Sequence, residues 1–409
     1  MLWSAGAFSY SGEVSELLVA GWLVFQVTGS PLQVALVGVS RTVALFSFTL
    51  IAGAVGDRQD RRRTMIIAYL INVLVIVGLI VILLTSNIQP WHIFIAIAIK
   101  GASRSFDQTN RRALMYSVIG PRHVVQAISL EVLGFSSGKI LGALVIGGLL
   151  QATGTAVGAY SFLAALYTTS LISMIFVRQT ATGTPMEHRP VLSTVSEGLR
   201  YAFSSSAIAA VLVTTVVMNA MFQFQLFIPV VAQDHLHVGP GLMGVLAAAD
   251  GIGIIIGSVL MGLLGERIKN HGRIFLIGSM ALTLFLLAFA LSPWYALSFF
   301  LLMSLGIAMV GFGAMQSNII LLASPPSFHS RSFGVMGLAI GAGQLGNLEM
   351  GLLATVFGVT FALGANAVVG IVLLLLIAIL MPALRRPIQP IQEKPSTESK
   401  PDLQRYKRK

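Results

Sequence analysis

Gly53–Arg63 reads G-A-V-G-D-R-Q-D-R-R-R and comes directly after an apolar run. A glycine-punctuated hydrophobic segment that ends in aspartate and arginine marks a sharp exit from lipid into water. Gly262–Arg273 reads G-L-L-G-E-R-I-K-N-H-G-R, again behind an apolar run. The two loops align at an offset of 209 residues: Gly53 with Gly262, Gly56 with Gly265, Asp57 with Glu266 and Arg58 with Arg267. A second match lies in the G-x-L-x-x-G runs at Gly142–Gly147 and Gly346–Gly351. Internal duplication of this kind belongs to membrane proteins built from two pseudo-symmetric halves.

Composition agrees. Of 409 residues, 56% are hydrophobic and 10% charged, against about 45–50% and about 25% in soluble domains. A soluble core of this length cannot absorb so much apolar surface, so the chain crosses a membrane many times. Twelve helices of about 20–25 residues each fit the length. The net charge of +11 does not point to nucleic acid, because the cations lie in short loops and the tail, where membrane orientation explains them. The chain has no cysteine, which excludes disulfides, thiol catalysis and thiolate metal sites. No cleavable signal peptide is evident, since the first apolar segment is too long for one.

The apolar pattern predicts an all-α membrane protein with spans at 3–26, 33–55, 65–85, 92–113, 124–150, 156–177, 206–231, 241–264, 273–292, 296–320, 334–356 and 361–382. These divide into a six-helix bundle at 1–177, a linker with an amphipathic helix at 178–205, a second six-helix bundle at 206–384 and a disordered basic tail at 385–409. The connections at 28–31, 86–91, 151–155, 232–240, 292–295 and 357–360 contain no lysine or arginine, whereas the others carry many. That asymmetry places both termini in the cytoplasm; the expected location is the cytoplasmic (inner) membrane.

Four stretches carry a family resemblance. Gly53, Asp57, Arg58, Arg61 and Arg62 occupy their places in the pattern G-x-L-A-D-R-x-G-R-R, with Gly56 and Asp60 as departures. Ser11-Gly12-Glu13 and W-L-V-F-Q-V-T-G-S-P (Trp22–Pro31) resemble S-x-x-G-D and W-L-V-Y-x-L-T-G-S-P, with Glu13 in place of the aspartate. Phe106, Asp107, Arg111 and Ala113 match F-D-x-P-A-R-Q-A, and Gly138, Gly142 and Gly147 match part of an antiporter signature. The chain thus resembles the major facilitator superfamily, in its enterobactin-exporter and drug:proton-antiporter branch. The resemblance implies two pseudo-symmetric six-helix bundles around a central site that opens alternately to each side. It also implies a conformational latch at Gly53, Asp57, Arg58, Arg61 and Arg62, repeated at Gly262, Glu266 and Arg267. The expected function is secondary active, proton-coupled efflux of a small amphipathic compound or secreted metabolite. Uptake of a polar solute and a non-transporting receptor on the same fold remain the alternatives.

Charged residues inside the spans are costly and mark function. Glu13, Glu16, Glu349 and Asp250 are the proton-coupling candidates, with Glu13 ranked first and Glu349 second. Arg41, Lys100, Arg104, Lys139, Asn219, Gln223 and Gln316 are candidates for lining the substrate cavity. Lys100, Arg104, Asp107 and Arg111 recur at helical spacing and share one face. Glu16 and Arg41 fall at matching depth across the first hairpin, so they are expected to pair; Asp250, the repeat equivalent of Arg41, is its other possible partner. Lys139 is expected near Glu13, and Arg111 is expected to extend toward water. No Walker loop, H-E-x-x-H or nucleophile elbow is present, so an enzyme reading has no residues to rest on. The expected partners are a small-molecule substrate, protons and membrane lipids, with no cofactor, metal or nucleic acid, for a monomer.

Overall fold

The computed structural model describes residues 2–58, 60–85, 87–119, 124–177, 199–264, 268, 270–325, 328–341 and 343–386. Among them all regular structure is helical. The first half comprises α1 (Leu2–Thr28), α2 (Pro31–Arg58), α3 (Arg61–Leu84), α4 (Pro90–Ile119), α5 (Val124–Thr153) and α6 (Ala156–Ile175). The second comprises α7 (Ser206–Met221), α8 (Pro240–Leu264), α9 (His271–Ala290), α10 (Tyr295–Ala323), α11a (His329–Gly341), α11b (Gly343–Phe357) and α12 (Val359–Leu380). Nine helices among the described residues are long and apolar enough to cross a membrane. The linker at 178–198 and the tail from 387 onward lie outside the described residues.

Local chemistry sets the helix ends. Pro31, Pro90 and Pro240 each open a helix, where a missing N–H costs nothing and the fixed φ suits the first turn. Gly29, Gly154 and Gly358 take positive φ at the short turns, which only glycine adopts without strain. Asp60, a departure from the signature pattern, caps α3 by accepting from the backbone N–H groups of Arg62 (2.8 Å) and Arg63 (3.2 Å). Asn270 caps α9 in the same way, accepting from Arg273 N–H at 3.2 Å.

The expected seventh span, 206–231, is not one helix. α7 stops at Met221, and the chain continues as a 3-10 turn (Gln225–Phe227), one α turn (Ile228–Val230) and a π turn (Val231–His235). Pro229 sits in the first turn of the short α segment, where its missing N–H costs nothing, but it lies too far along the chain to account for the end of α7. Most other spans run a few residues beyond their predicted ends, most clearly α4, which continues to Ile119.

Within the first half, α1 packs on α5 and α6, α2 on α4, and α3 on both α4 and α6. Within the second, α8 and α9 pack on α10, and α9 on α12. The halves meet chiefly where α5 crosses α8 and where α2 crosses α11b. These contacts gather at the end that carries the short turns. There Gln26 Nε2 donates to Gln233 Oε1 (2.8 Å), Leu32 N to Thr355 Oγ1 (3.0 Å) and Gly241 N to Gln151 Oε1 (3.3 Å). A side chain at Gly147 would lie 2.7 Å from Gly244 Cα, so α5 and α8 meet backbone to backbone. Small residues allow such approaches between membrane helices.

Gly346 shows how close these approaches are, because a Cβ there would run into the Ala220 carbonyl of α7. Gly313 faces open space. Gly346→Ala should therefore cost about 1–3 kcal/mol of overpacking strain, seen as a lower thermal midpoint in detergent, while Gly313→Ala, which sheds glycine's helix penalty, should hold or raise the midpoint. Equal midpoints for the two variants would contradict this packing.

Candidate functional site

α1 brings two carboxylates into the first half, Glu13 and Glu16, both buried. They lie three residues apart and share a face. Gly12 leaves room beside them, since a Cβ there would come within 2.8 Å of the Tyr167 ring. Tyr167 donates its hydroxyl to Glu16 Oε2 at 3.2 Å. Lys100 Nζ lies 2.6 Å from the same oxygen and 3.7 Å above the Tyr167 ring centroid. Glu13 Oε2 takes two guanidiniums, Arg41 Nη2 at 3.3 Å and Arg104 Nη1.

The expected Glu16–Arg41 pair is thus replaced. Helices α1 and α4 run antiparallel, so Glu16 meets Lys100 and Glu13, nearly one turn away, meets Arg104. With Glu16 already held by Lys100 and Tyr167, Arg41 reaches along α1 to Glu13. Gly101 fixes the spacing of α2 and α4, because a Cβ there would collide with the Arg41 carbonyl. A small cavity opens among Glu13, Glu16, Arg41, Asn72, Ile97 and Lys100.

The stripe on α4 continues with Asp107 and Arg111, which pair with each other at 2.9 Å. Tyr69 donates to Asp107 Oδ1 at 2.7 Å, and the Arg111 guanidinium stacks on Tyr10 at 3.8 Å. Arg111 does not extend toward water; it is 3% exposed. A partner one turn away, an aromatic face and the space left by Gly6 hold it inside.

Lys139 does not join Glu13 either. It crosses from α5 to the second half and pairs with Asp250 on α8. Gln225, delivered by the irregular segment after α7, donates to Asp250 Oδ2 at 2.9 Å. Asp250 is therefore not the partner of Arg41. Glu349 on α11b accepts from Asn366 Nδ2 at 2.9 Å and has no cation partner among the described residues.

The three amides expected at the cavity each donate one hydrogen bond to a neighbouring group. Asn219 donates to the Thr215 carbonyl (2.9 Å) and Gln223 to the Asn219 carbonyl, both within the α7 segment. Gln316, buried between α10 and α7, donates to Thr215 Oγ1. In the signature loop, Arg62 donates to the Ile175 carbonyl at the end of α6, Arg61 is half-buried and Gly262 is exposed. The side chains of Gly53, Asp57 and Arg58, and all of Glu266 and Arg267, lie outside the described residues.

Sequence reasoning missed Tyr69, Tyr167, Asn72 and Asn366. The amides carried a usable signal: each is the lone amide in its apolar span. The tyrosines carried none, because a tyrosine in an apolar run reads as core.

The family model for transmembrane secretion effectors matches residues 1–405. The chain belongs to that family. The chain is 25% identical over 386 residues to the multidrug efflux pump Tap of Mycolicibacterium fortuitum, covering 92% of this chain and 93% of that one. It is 24% identical over 352 residues to the enterobactin exporter EntS of Escherichia coli O1:K1, covering 84% and 83%. Among solved structures, a POT family transporter in complex with a thioalcohol-conjugated peptide superposes with a TM-score of 0.75 at 10% identity, covering 94% of this chain and 96% of that one. The nucleoside transporter NupG superposes at 0.70 and 14% identity, covering 94% and 98%. The chain is a multi-pass membrane protein and a secondary transporter of the major facilitator type, with efflux proteins among its relatives.

Proposed function

We propose that this secretion effector expels a small amphipathic compound in exchange for protons, by alternating access between its two halves. The observation that carries the reading is the placement of paired charge. One cluster lies inside the first half, one ion pair bridges the halves, and one carboxylate has no described cation beside it. Charge held in lipid at such cost serves transport in membrane proteins. The lysine- and arginine-free short turns favour an orientation with both termini in the cytoplasm of the inner membrane. In that orientation the described contacts between halves close the outer side. Opening and closing at the signature loops, with Asp57 as the latch, is part of the same proposal.

A proton exchanger needs an acid that gains and loses its proton as its surroundings change. Adding a proton to Glu13 would strand two guanidiniums, Arg41 and Arg104. Adding one to Glu349 strands none among the described residues, and Asn366 can still serve it. We therefore place Glu349 ahead of Glu13 as the coupling acid. In proteoliposomes with an imposed pH gradient, Glu349→Gln should abolish uphill dye transport while gradient-free exchange survives. Uphill pumping by Glu349→Gln together with its loss in Glu13→Gln would return the role to Glu13. No response of the unaltered protein to the pH gradient would remove proton coupling altogether.

A further inference from the structure

We infer that the compound carried by this protein bears an oxyanion, which docks on the guanidinium groups of Arg41 and Arg104. The inference rests on the transport reading above and adds the substrate's charge class. The cluster in the first half holds three cations, Arg41, Lys100 and Arg104, against two carboxylates, Glu13 and Glu16. With all five charged, one positive charge has no partner within the cluster. The neighbouring ion pairs do not supply one, since Asp250 is taken by Lys139 and Asp107 by Arg111.

The excess sits at the open face. The side chains of Arg41 and Arg104 are 15% and 24% exposed, while those of Lys100 and Glu16 are 6% and 5% exposed. A guanidinium offers five N–H donors. Among the described residues the only acceptor these two arginines share is one oxygen, Glu13 Oε2. Most of their donors are thus free for a ligand. Their planar, forked geometry suits carboxylate, sulfonate, phosphate or phenolate oxygens. The pair is also pre-positioned, because the close approach at Gly101 holds α2 against α4. A cationic ligand seeking Glu13 would instead meet two like charges already in contact with it.

Glu13 is then the internal competitor of the substrate. Its carboxylate occupies the arginines when the site is empty and yields to the incoming anion. A proton on Glu13 draws the anion in rather than expelling it, so a proton exchanged against the anion belongs on another acid. The charged and titratable groups facing Glu13 are Arg41 from α2, Arg104, Lys100 and Asp107 from α4, Glu16 on its own helix and Tyr167 from α6.

The sign of the Glu13 effect tests this. Binding of fluorescein, an anion, and rhodamine 6G, a cation with a similar fused-ring body, is measured on the purified full-length protein without any gradient. Glu13→Gln should tighten fluorescein binding about tenfold, Arg104→Gln should weaken it at least as much, and Arg104→Lys should retain part of it. If Glu13→Gln weakens rhodamine 6G binding and leaves fluorescein unaffected, the site takes cations and the inference is wrong. Absence of fluorescein binding to the unaltered protein also overturns it. Because no gradient is present, a failure of proton coupling leaves these outcomes readable.

Discussion

Asp250→Asn should shift the protein toward the state in which the short-turn end is open. The substitution removes the counter-charge of Lys139, which is 7% exposed between α5 and α8. Removing one member of a buried pair costs about 3–5 kcal/mol, because the remaining charge is left uncompensated. That cost falls on the state with α5 against α8. Where the helices part, water can reach the ammonium group. A difference of this size changes the ratio of the two states by about a hundredfold or more. The chain has no cysteine, so spin labels on cysteines at Gln151 and His237 report the change without background. The long-distance population should grow in Asp250→Asn, and Lys139→Met combined with Asp250→Leu should restore the original distribution. An unaltered distribution in the single variant would show that the pair does not hold the halves together.

The second large effect is expected at Asp107. Its two oxygens accept from Tyr69 and lie against Arg111, and both charged residues are almost fully buried. Asp107→Asn keeps the shape but removes the negative charge that lies against the buried Arg111 guanidinium. The loss should again be about 3–5 kcal/mol, read as a lower thermal midpoint and a smaller folded yield. Here both partners belong to one helix of the first half, so the damage is to stability and not to the balance of open states. Replacing both residues by leucine should recover most of the loss. If the double variant is as unstable as the single, the tyrosine contacts and not the ion pair carry the stability.

The duplicated loop at Gly53 and Gly262, the apolar runs between them and the cations confined to alternate loops made the two-half architecture legible. So were the residues that carry charge inside the membrane: Glu13, Glu16, Arg41, Lys100, Arg104, Lys139, Asp250 and Glu349 each stand out within an apolar run of the sequence. Their partners were not legible. Depth counted along one hairpin favoured Glu16 with Arg41, but pairing depends on the antiparallel register of α1 against α4, which are not neighbours in sequence. Lys139 found its acid across the interface between halves, a relation that no spacing within one half encodes. The interruption after Met221 was not legible, because the hydrophobic pattern runs straight through it. Asn219 and Gln316 were polar residues in apolar helices, and such residues serve packing as readily as they serve ligands.

Gly147 and Gly244 bring two backbones together on the short-turn side of the Lys139–Asp250 pair. A seam of this kind has no side chains to part and no room for a file of water. Protons move through membrane proteins along hydrogen-bonded chains, and here the chain has nowhere to form. At this crossing the two halves are closed by shape, with the ion pair as a charged floor beneath it. The tightness of that crossing is owed to two residues without side chains.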